Sequence, residues 1–173
     1  MAAPASGCRL PAVGGKAKLD IKDSADDAKD MLKWSWAKGS ATALHDFGDP
    51  VTTDEYFLCV YDDGVPVSST ALPAGGMCGR KPCWTEKKTS FNYKNSSRTP
   101  DGVLTAKLTG GVAGKAGVLV LAKGFDLETP DLTTLTGPIR VQLQRADGAI
   151  CFESVFGAPF KKNAMGVFSD LAD

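Results

Sequence analysis

The stretch EYFLCVYDDGVPV, residues 55–67, carries six consecutive apolar or aromatic positions into an Asp-Gly turn and then continues as a second β-rich run. An Asp-Gly pair supplies the positive φ angles that a tight two-residue hairpin turn requires. The stretch PIRVQLQRADGAICFESVF, residues 138–156, has the same order of run, Asp-Gly turn and run. Two such stretches predict two β-hairpins within an all-β domain.

Landmarks along the chain recur at a nearly constant interval, which favours a chain built from two similar halves. The Lys-Gly pairs at 38–39 and 123–124 lie 85 residues apart, and the two Asp-Gly turns lie 84 apart. The pattern L-x-I-K at 19–22 also returns as F-x-Y-K at 91–94, at the shorter interval of 72. The alternative is that common turn dipeptides recur by chance.

Each half, residues 19–77 and 91–160, has the order strand, strand, long loop, strand, turn and strand, and neither half could bury an apolar face alone. We therefore expect two sheets packed face to face, in a β-sandwich of the jelly-roll or immunoglobulin-like type with about eight to ten strands. This single domain would span residues 19–160. The small, Gly- and Pro-containing residues 1–18 predict an extended N-terminal arm, and residues 161–173 are interpreted as a C-terminal tail.

Charge and hydropathy argue against two classes of partner. The 20 basic and 20 acidic residues cancel, and the largest contiguous basic clusters are the pairs Lys87-Lys88 and Lys161-Lys162. Without a basic run the chain lacks the field that attracts nucleic acids or anionic lipids, so neither is expected as a partner. The longest apolar runs, such as residues 118–122, are far shorter than the ~20 residues that span a bilayer, so no membrane span is predicted.

Five cysteines in a Gly- and Pro-rich chain with a single histidine favour disulfides over metal ligation, and with them an extracellular or cell-surface location. Cys78 and Cys83 are expected to close their own loop. Cys59 and Cys151 face the same side of the two hairpins, so we expect a second bridge between them if their strands are neighbours, with Cys8 left over. Two bridges among five cysteines allow fifteen pairings, so this pairing is a hypothesis.

The loop PAGGMCGRKPCW, residues 73–84, and the nearby Tyr93 contain the best candidates for a ligand site. Loops held on a rigid scaffold are where binding residues gather. We therefore select Trp84, Tyr93 and Arg80 as candidate ligand-binding residues, with the indole of Trp84 exposed for stacking.

A second aromatic platform is conceivable on the strand that contains Trp34 and Trp36. The two rings lie on one face, about 7 Å apart, a spacing at which sugar rings stack. Leu32 shares that face, and large aromatic residues are more often buried, so we expect this face to belong to the core.

Catalytic and metal-binding patterns are weak. His45 is the only histidine and lies near Ser40 and Thr42 without a nucleophile elbow, which favours a surface histidine and no catalytic residue. No loop fits the D-x-[DN]-x-[DN]-G pattern of a calcium site, so we favour a solvated charged surface and predict no metal or other cofactor. The weak calcium candidates are Asp46, Asp49, Asp126, Glu128 and Asp131.

Four motifs occur together: CRLP at 8–11, DFGDP at 46–50, LCVYD at 58–62 and PAGGMCGRKPCW at 73–84. As a set, which also includes the later VQL and C-F-E sequences, they resemble an uncharacterised family of secreted bacterial β-domains found in large extracellular proteins. The resemblance covers nearly the whole chain and implies a secreted β-domain. It implies no activity and no site residues, because the motifs consist of turns and cysteines.

Together these observations predict a secreted, disulfide-stabilised, non-enzymatic β-sandwich with a structural, adhesive or assembly role. The expected partners are other copies of the chain, extracellular matrix or polysaccharide. In one version the N-terminal arm pairs with the sheet edge of a neighbouring copy and forms filaments. Two alternatives stay open: a carbohydrate-binding module that stacks sugars on exposed tryptophans, and an extracellular hydrolase of unfamiliar type.

Overall fold

A computed structural model describes residues 3–173 of the chain. Short 3-10 helices occupy Asp27–Lys29 and Leu44–Phe47, and the other regular elements are strands. Within the described residues, no helix has the length and apolar character needed to cross a membrane. The strands are β1 (Ala17–Lys22), β2 (Met31–Gly39), β3 (Tyr56–Asp62), β4 (Val65–Leu72), β5 (Met77–Cys78), β6 (Lys81–Pro82), β7 (Trp84–Glu86), β8 (Ser90–Lys94), β9 (Val103–Thr109), β10 (Ala116–Lys123), β11 (Ile139–Arg145), β12 (Cys151–Phe156), β13 (Lys162–Ala164) and β14 (Val167–Leu171).

Two antiparallel sheets contain most of these strands, so the predicted all-β sandwich is confirmed. The larger sheet has eight strands in the order β13-β14-β1-β2-β10-β9-β8-β7, and the smaller has four in the order β12-β11-β3-β4. Strands β5 and β6 form a separate two-stranded hairpin. The two sheets hold more strands than expected because β7, β13 and β14 come from segments interpreted as loop or tail.

The two predicted hairpins make up the smaller sheet. Asp63 and Gly64, with φ of 47° and 79°, join β3 to β4 as a tight turn, and the second Asp-Gly turn joins β11 to β12. Strands β3 and β11 are neighbours at the centre of the sheet, where Leu58 lies opposite Leu143. The Asp-Gly signal therefore located the hairpins correctly.

The strand order is symmetric about the centre of both sheets when β1–β4 are matched with β9–β12. Strands β2 and β10 meet antiparallel in the larger sheet, and β3 and β11 do so in the smaller. In this arrangement β1 corresponds to β9, whereas the match of L-x-I-K with F-x-Y-K pairs β1 with β8. That motif match does not mark equivalent strands, and duplication of the chain stays a prediction.

Alternation along the strands directs one face of each sheet into a shared core. In β2, Leu32, Trp34 and Trp36 point inward and are fully buried, as predicted. The indole N–H of Trp34 donates to the Ser154 hydroxyl at 2.7 Å, and that of Trp36 donates to the Glu153 carbonyl at 3.0 Å. Both indoles are satisfied across the space between the sheets, so they offer no sugar-stacking platform.

The described part of the predicted N-terminal arm is fixed to its own domain, and residues 1 and 2 of the arm lie outside the described residues. The N–H of Arg9 donates to the Cys151 carbonyl at 2.8 Å, and the Arg9 carbonyl accepts from the N–H of Glu153 at 2.9 Å. Further along, the N–H of Ala12 donates to the carbonyl of Lys38, near the end of β2, at 2.7 Å. The arm thus bonds to both sheets and covers the β12 edge to which another chain would otherwise pair.

One of the two predicted disulfides is correct. Cys78 and Cys83 are bonded, whereas Cys151 is bonded to Cys8 and Cys59 is a buried free thiol. The predicted Cys59–Cys151 bridge is wrong because β11 lies between β3 and β12. Two strand spacings amount to about 10 Å, which exceeds the roughly 7 Å over which two Cα atoms can be bridged.

The C-terminal segment 161–173, interpreted as a tail, forms the edge of the larger sheet. Strands β13 and β14 make a hairpin through Gly166, whose φ is 73°, and β14 pairs with β1. The side chain of Phe168 is fully buried and anchors the hairpin. A single large inward-facing apolar residue is too weak a pattern to predict a strand from the sequence.

Candidate functional site

The loop at 73–84 does not present an exposed tryptophan. Trp84 begins β7 and is 1% exposed, with its ring centroid 5.1 Å from that of Tyr93 on β8. Its N–H donates to the Pro73 carbonyl at 2.8 Å. The predicted exposure of Trp84 is wrong because the pairing of β7 with β8 turns the ring toward the core.

The other two candidates do not converge with Trp84 on one surface. Tyr93 is 3% exposed, burial raises its pKa, and its hydroxyl accepts a hydrogen bond from the Asn95 side chain at 3.2 Å. Arg80 is exposed at the turn between β5 and β6. A hollow of about 190 Å³ beside the disulfide of this loop is lined partly by Tyr93, but neither Trp84 nor Arg80 lines it. Ligand binding by these three residues stays a prediction.

Two calcium candidates lie in the loop that precedes β3, where they stabilise the local backbone. Asp46 accepts from the Arg9 guanidinium at 2.8 Å and from the N–H of Ala43 at 2.9 Å. Its hydrogen bond with Arg9 is the main reason why the pKa of Asp46 lies below its ordinary value. Asp49 accepts from the N–H of Val51 at 3.1 Å, which is a local turn contact.

The remaining acidic candidates lie elsewhere. Asp126 and Glu128 line an open hollow of about 370 Å³ together with Asp101. Asp131 is exposed and bonds to the hydroxyl and N–H of Thr133, contacts that lower its pKa. Within residues 3–173, no group of three or more His, Cys, Asp or Glu side chains is placed to hold a metal ion.

The outer face of the smaller sheet carries polar side chains that fasten the N-terminal arm. Gln142, on β11, exchanges two hydrogen bonds of 2.9 Å with the backbone of Ala5 and is fully buried. Glu153 accepts from the Gln142 amide and from the Arg140 guanidinium. These bonds give the arm a second attachment, on the surface of the smaller sheet.

The same face holds the free thiol. Cys59 is 7% exposed and lies 3.8 Å from the Ser69 hydroxyl. Tyr61 accepts from the Gln144 amide at 3.0 Å. Burial, reinforced by the neighbouring Cys59, raises the pKa of Tyr61 to about 12. Cys59 and Tyr61 are therefore both buried.

The outer face of the larger sheet carries an excess of basic side chains. The outward positions of β1, β2, β8, β9 and β10 include one acid, Asp20, which is paired with Lys18 at 2.9 Å. These positions carry six lysines, which define the surface that we call the lysine face: Lys18, Lys22, Lys33, Lys94, Lys107 and Lys123. Among residues 3–173, the other five lysines make no ion pair. The lysine face is therefore positive although the whole chain is formally neutral.

A shallow groove of about 310 Å³ crosses the lysine face where β2 meets β10. Small residues let the surface dip here, and lysines border the depression. The residues with small or hydroxyl side chains are Ser35, Ala37, Gly117 and Thr109, and the lysines are Lys38, Lys107 and Lys115. Within the part of the chain described, no acidic side chain lines the groove.

A β-bulge places Lys38 beside this groove. Ala37 and Lys38 of β2 together oppose the single residue Gly117 of β10. Strict alternation would turn Lys38 inward with Trp36, but the bulge and a φ of 54° leave Lys38 exposed. A non-glycine residue in the left-handed region is uncommon and carries local strain. One lysine at the groove therefore depends on an irregularity of the backbone.

The lysine face leaves no contiguous basic run in the sequence, so charge clustering along the chain does not reveal it. The lysines alternate with buried residues, as in Lys18-Leu19 and Lys33-Trp34, so each strand contributes only one or two. Lysines at the outward positions of predicted strands were a usable signal. The sequence does not indicate which strands become neighbours, since β2 and β10 are more than 70 residues apart in the chain.

Compared with family models, curated proteins and solved structures, the chain gives no match. The resemblance to secreted bacterial β-domains therefore stays a prediction.

Proposed function

We propose that the chain is an extracellular, non-enzymatic adhesive domain. A disulfide-stabilised β-sandwich would present the outer face of its larger sheet to a surrounding polysaccharide matrix. The observation that carries this proposal is the Cys8–Cys151 bond, which joins residues separated by 143 positions. Such a bond persists in oxidising surroundings and favours a location outside the cytosol.

The shape of the domain supports adhesion over catalysis. Eight strands at about 4.8 Å spacing make a sheet roughly 34 Å wide, and the six lysines of its outer face are exposed or half-buried. The arm forms hydrogen bonds to one sheet at Arg9 and to the other at Ala12, so a mechanical force on one sheet is transmitted to the other. A broad, exposed surface suits contact with a polymer.

Assembly through the arm is less favoured than adhesion. The arm already bonds to its own β12, and its cysteine is bonded within the same chain. Filament formation by arm exchange would require the Cys8–Cys151 bond to join two copies. Non-reducing gels distinguish the two cases, because exchange gives a disulfide-linked ladder and adhesion by single domains gives a monomer.

The direct experiment is fractionation of the cells that make the protein, with non-reducing immunoblots and thiol counting. We expect an oxidised monomer in the surface or medium fraction, with Cys59 as the one thiol, reactive only after unfolding. A reduced cytosolic chain would contradict the proposed location. Turnover of any substrate in an ester and glycoside panel, above that of the chemically unfolded protein, would contradict the non-enzymatic role.

A further inference from the structure

We infer that the groove on the lysine face binds the acidic groups of an extracellular polysaccharide, namely the carboxylates or sulfates of a linear anionic polymer. This inference rests on the proposed adhesive function and names its partner. The groove combines three lysines, Lys38, Lys107 and Lys115, with no acidic lining residue among those described. A ligand of this groove therefore needs negative charge to complement the lysines.

The chemistry of the groove also fits a sugar. Ser35 and Thr109 line it, and a hydroxyl group both donates and accepts, as hydrogen bonds to sugar hydroxyls require. Gly117 lets a ligand approach the backbone of the sheet closely. The groove is of a size at which small-molecule sites begin, about 300 Å³.

The surrounding lysines extend the site beyond one sugar. Lys18 and Lys107 share one row of the sheet, three strand spacings apart, which is about 14 Å. Lys33 and Lys94 are separated in the same way in the next row. Charges repeated across a flat sheet suit an extended polymer with regularly spaced anions.

Two other polyanions fit less well. Base-specific recognition of duplex DNA relies on arginine forks, and single strands are bound on stacked aromatic rings. The outward positions of β1, β2, β8, β9 and β10 carry neither arginine nor aromatic residues. An anionic membrane would also require apolar side chains that insert into the lipid. Leu119 and Leu121, the outward-facing leucines of β10, are only partly exposed.

The strained residue Lys38 provides a variant that separates binding from folding. Glycine adopts a positive φ at no steric cost, so Lys38→Gly removes the charge and relieves the strain together. We expect the urea midpoint to stay or rise while affinity for alginate falls about fivefold, the effect of one lysine near an anionic surface. The double variant Lys107→Glu with Lys115→Glu should weaken binding at least about thirtyfold.

The test measures retention of the disulfide-intact protein on alginate, dextran sulfate and neutral dextran. Duplex DNA and phosphatidylserine vesicles serve as competing polyanions. Wild type should bind both acidic polymers but not dextran, and binding should weaken from about 0.05 to about 0.5 M salt. The control Lys81→Glu with Lys88→Glu makes the same change of net charge at exposed lysines that do not line the groove, and should bind like wild type.

Several results would overturn the inference: no binding to either acidic polymer, equal binding to neutral dextran, tighter binding to DNA or vesicles, or an unchanged affinity of Lys38→Gly. A control variant as weak as the groove variant would do so as well. If fractionation still places an oxidised monomer outside the cell, only the groove assignment fails and the extracellular role stands. If the chain is cytosolic and reduced, the proposed function fails first.

Discussion

Removing the Cys8–Cys151 bond should destabilise the domain more than removing the Cys78–Cys83 bond. The bonded residues are separated by 143 positions in the first case and by 5 in the second. In the chain-entropy account a disulfide acts by restricting the unfolded chain, and its effect grows with the logarithm of the loop length. At 25 °C this gives about 5 kcal/mol for the long loop and about 2 kcal/mol for the short one.

The comparison uses two double variants, Cys8→Ser with Cys151→Ser and Cys78→Ser with Cys83→Ser. Urea unfolding followed by fluorescence of the three buried tryptophans gives the free energy of unfolding by linear extrapolation. The long-loop variant should lose about 3 kcal/mol more than the short-loop variant and should show the larger m value, since its unfolded chain expands more. Equal losses, or the reverse order, would refute the conclusion that the arm is an integral part of the cooperative fold.

Three further outcomes are expected. Trp34→Phe removes the indole N–H bonded to Ser154 and should lower the free energy of unfolding by about 1–3 kcal/mol in urea titrations; no loss would contradict the burial of that bond. The hydrogen bond with Arg145 lowers the pKa of Asp147 to about 2. The ionised carboxylate therefore stabilises the fold above the unfolded pKa, and this stabilisation is lost as the pH falls from about 4 to about 2. Asp147→Asn should therefore flatten the dependence of Tm on pH in that window, and an unchanged profile would count against the ion pair. Burial is the main cause that raises the pKa of all three tyrosines, so an absorbance titration of the folded protein should show none ionising near the ordinary value of about 10.

The local parts of the fold could be predicted from the sequence. Asp63-Gly64 marks a hairpin because two adjacent residues determine the turn. Alternation likewise depends only on neighbouring residues, and it assigned Trp34 and Trp36 to the core. The pairing of Cys59 could not be predicted, because it depends on which strand lies beside β3. The neighbour of β3 is β11 and not β12, and this order is set only in the assembled sheet.

The candidate site shows the same division. The alternating pattern alone places Lys33 on the solvent-facing side of its strand. That lysines from β9 and β8 lie on the same surface follows only from the order of strands in the sheet. Lys38 could not be placed at all, since alternation turns it inward and only the bulge exposes it. Trp84 was misplaced because its loop reads as irregular, whereas β7 pairs with β8 and buries the ring.

NMR mapping of the contact surface tests directly whether the groove on the lysine face binds an acidic polysaccharide. Amide shifts of the labelled protein would be followed while alginate oligosaccharides are added at low salt. The account predicts that the perturbed amides cluster around the groove, at Ser35, Lys38 and Gly117, and that the shifts reverse when salt is raised. Perturbations centred on Arg80 in the 73–84 loop, or no perturbation at all, would contradict it.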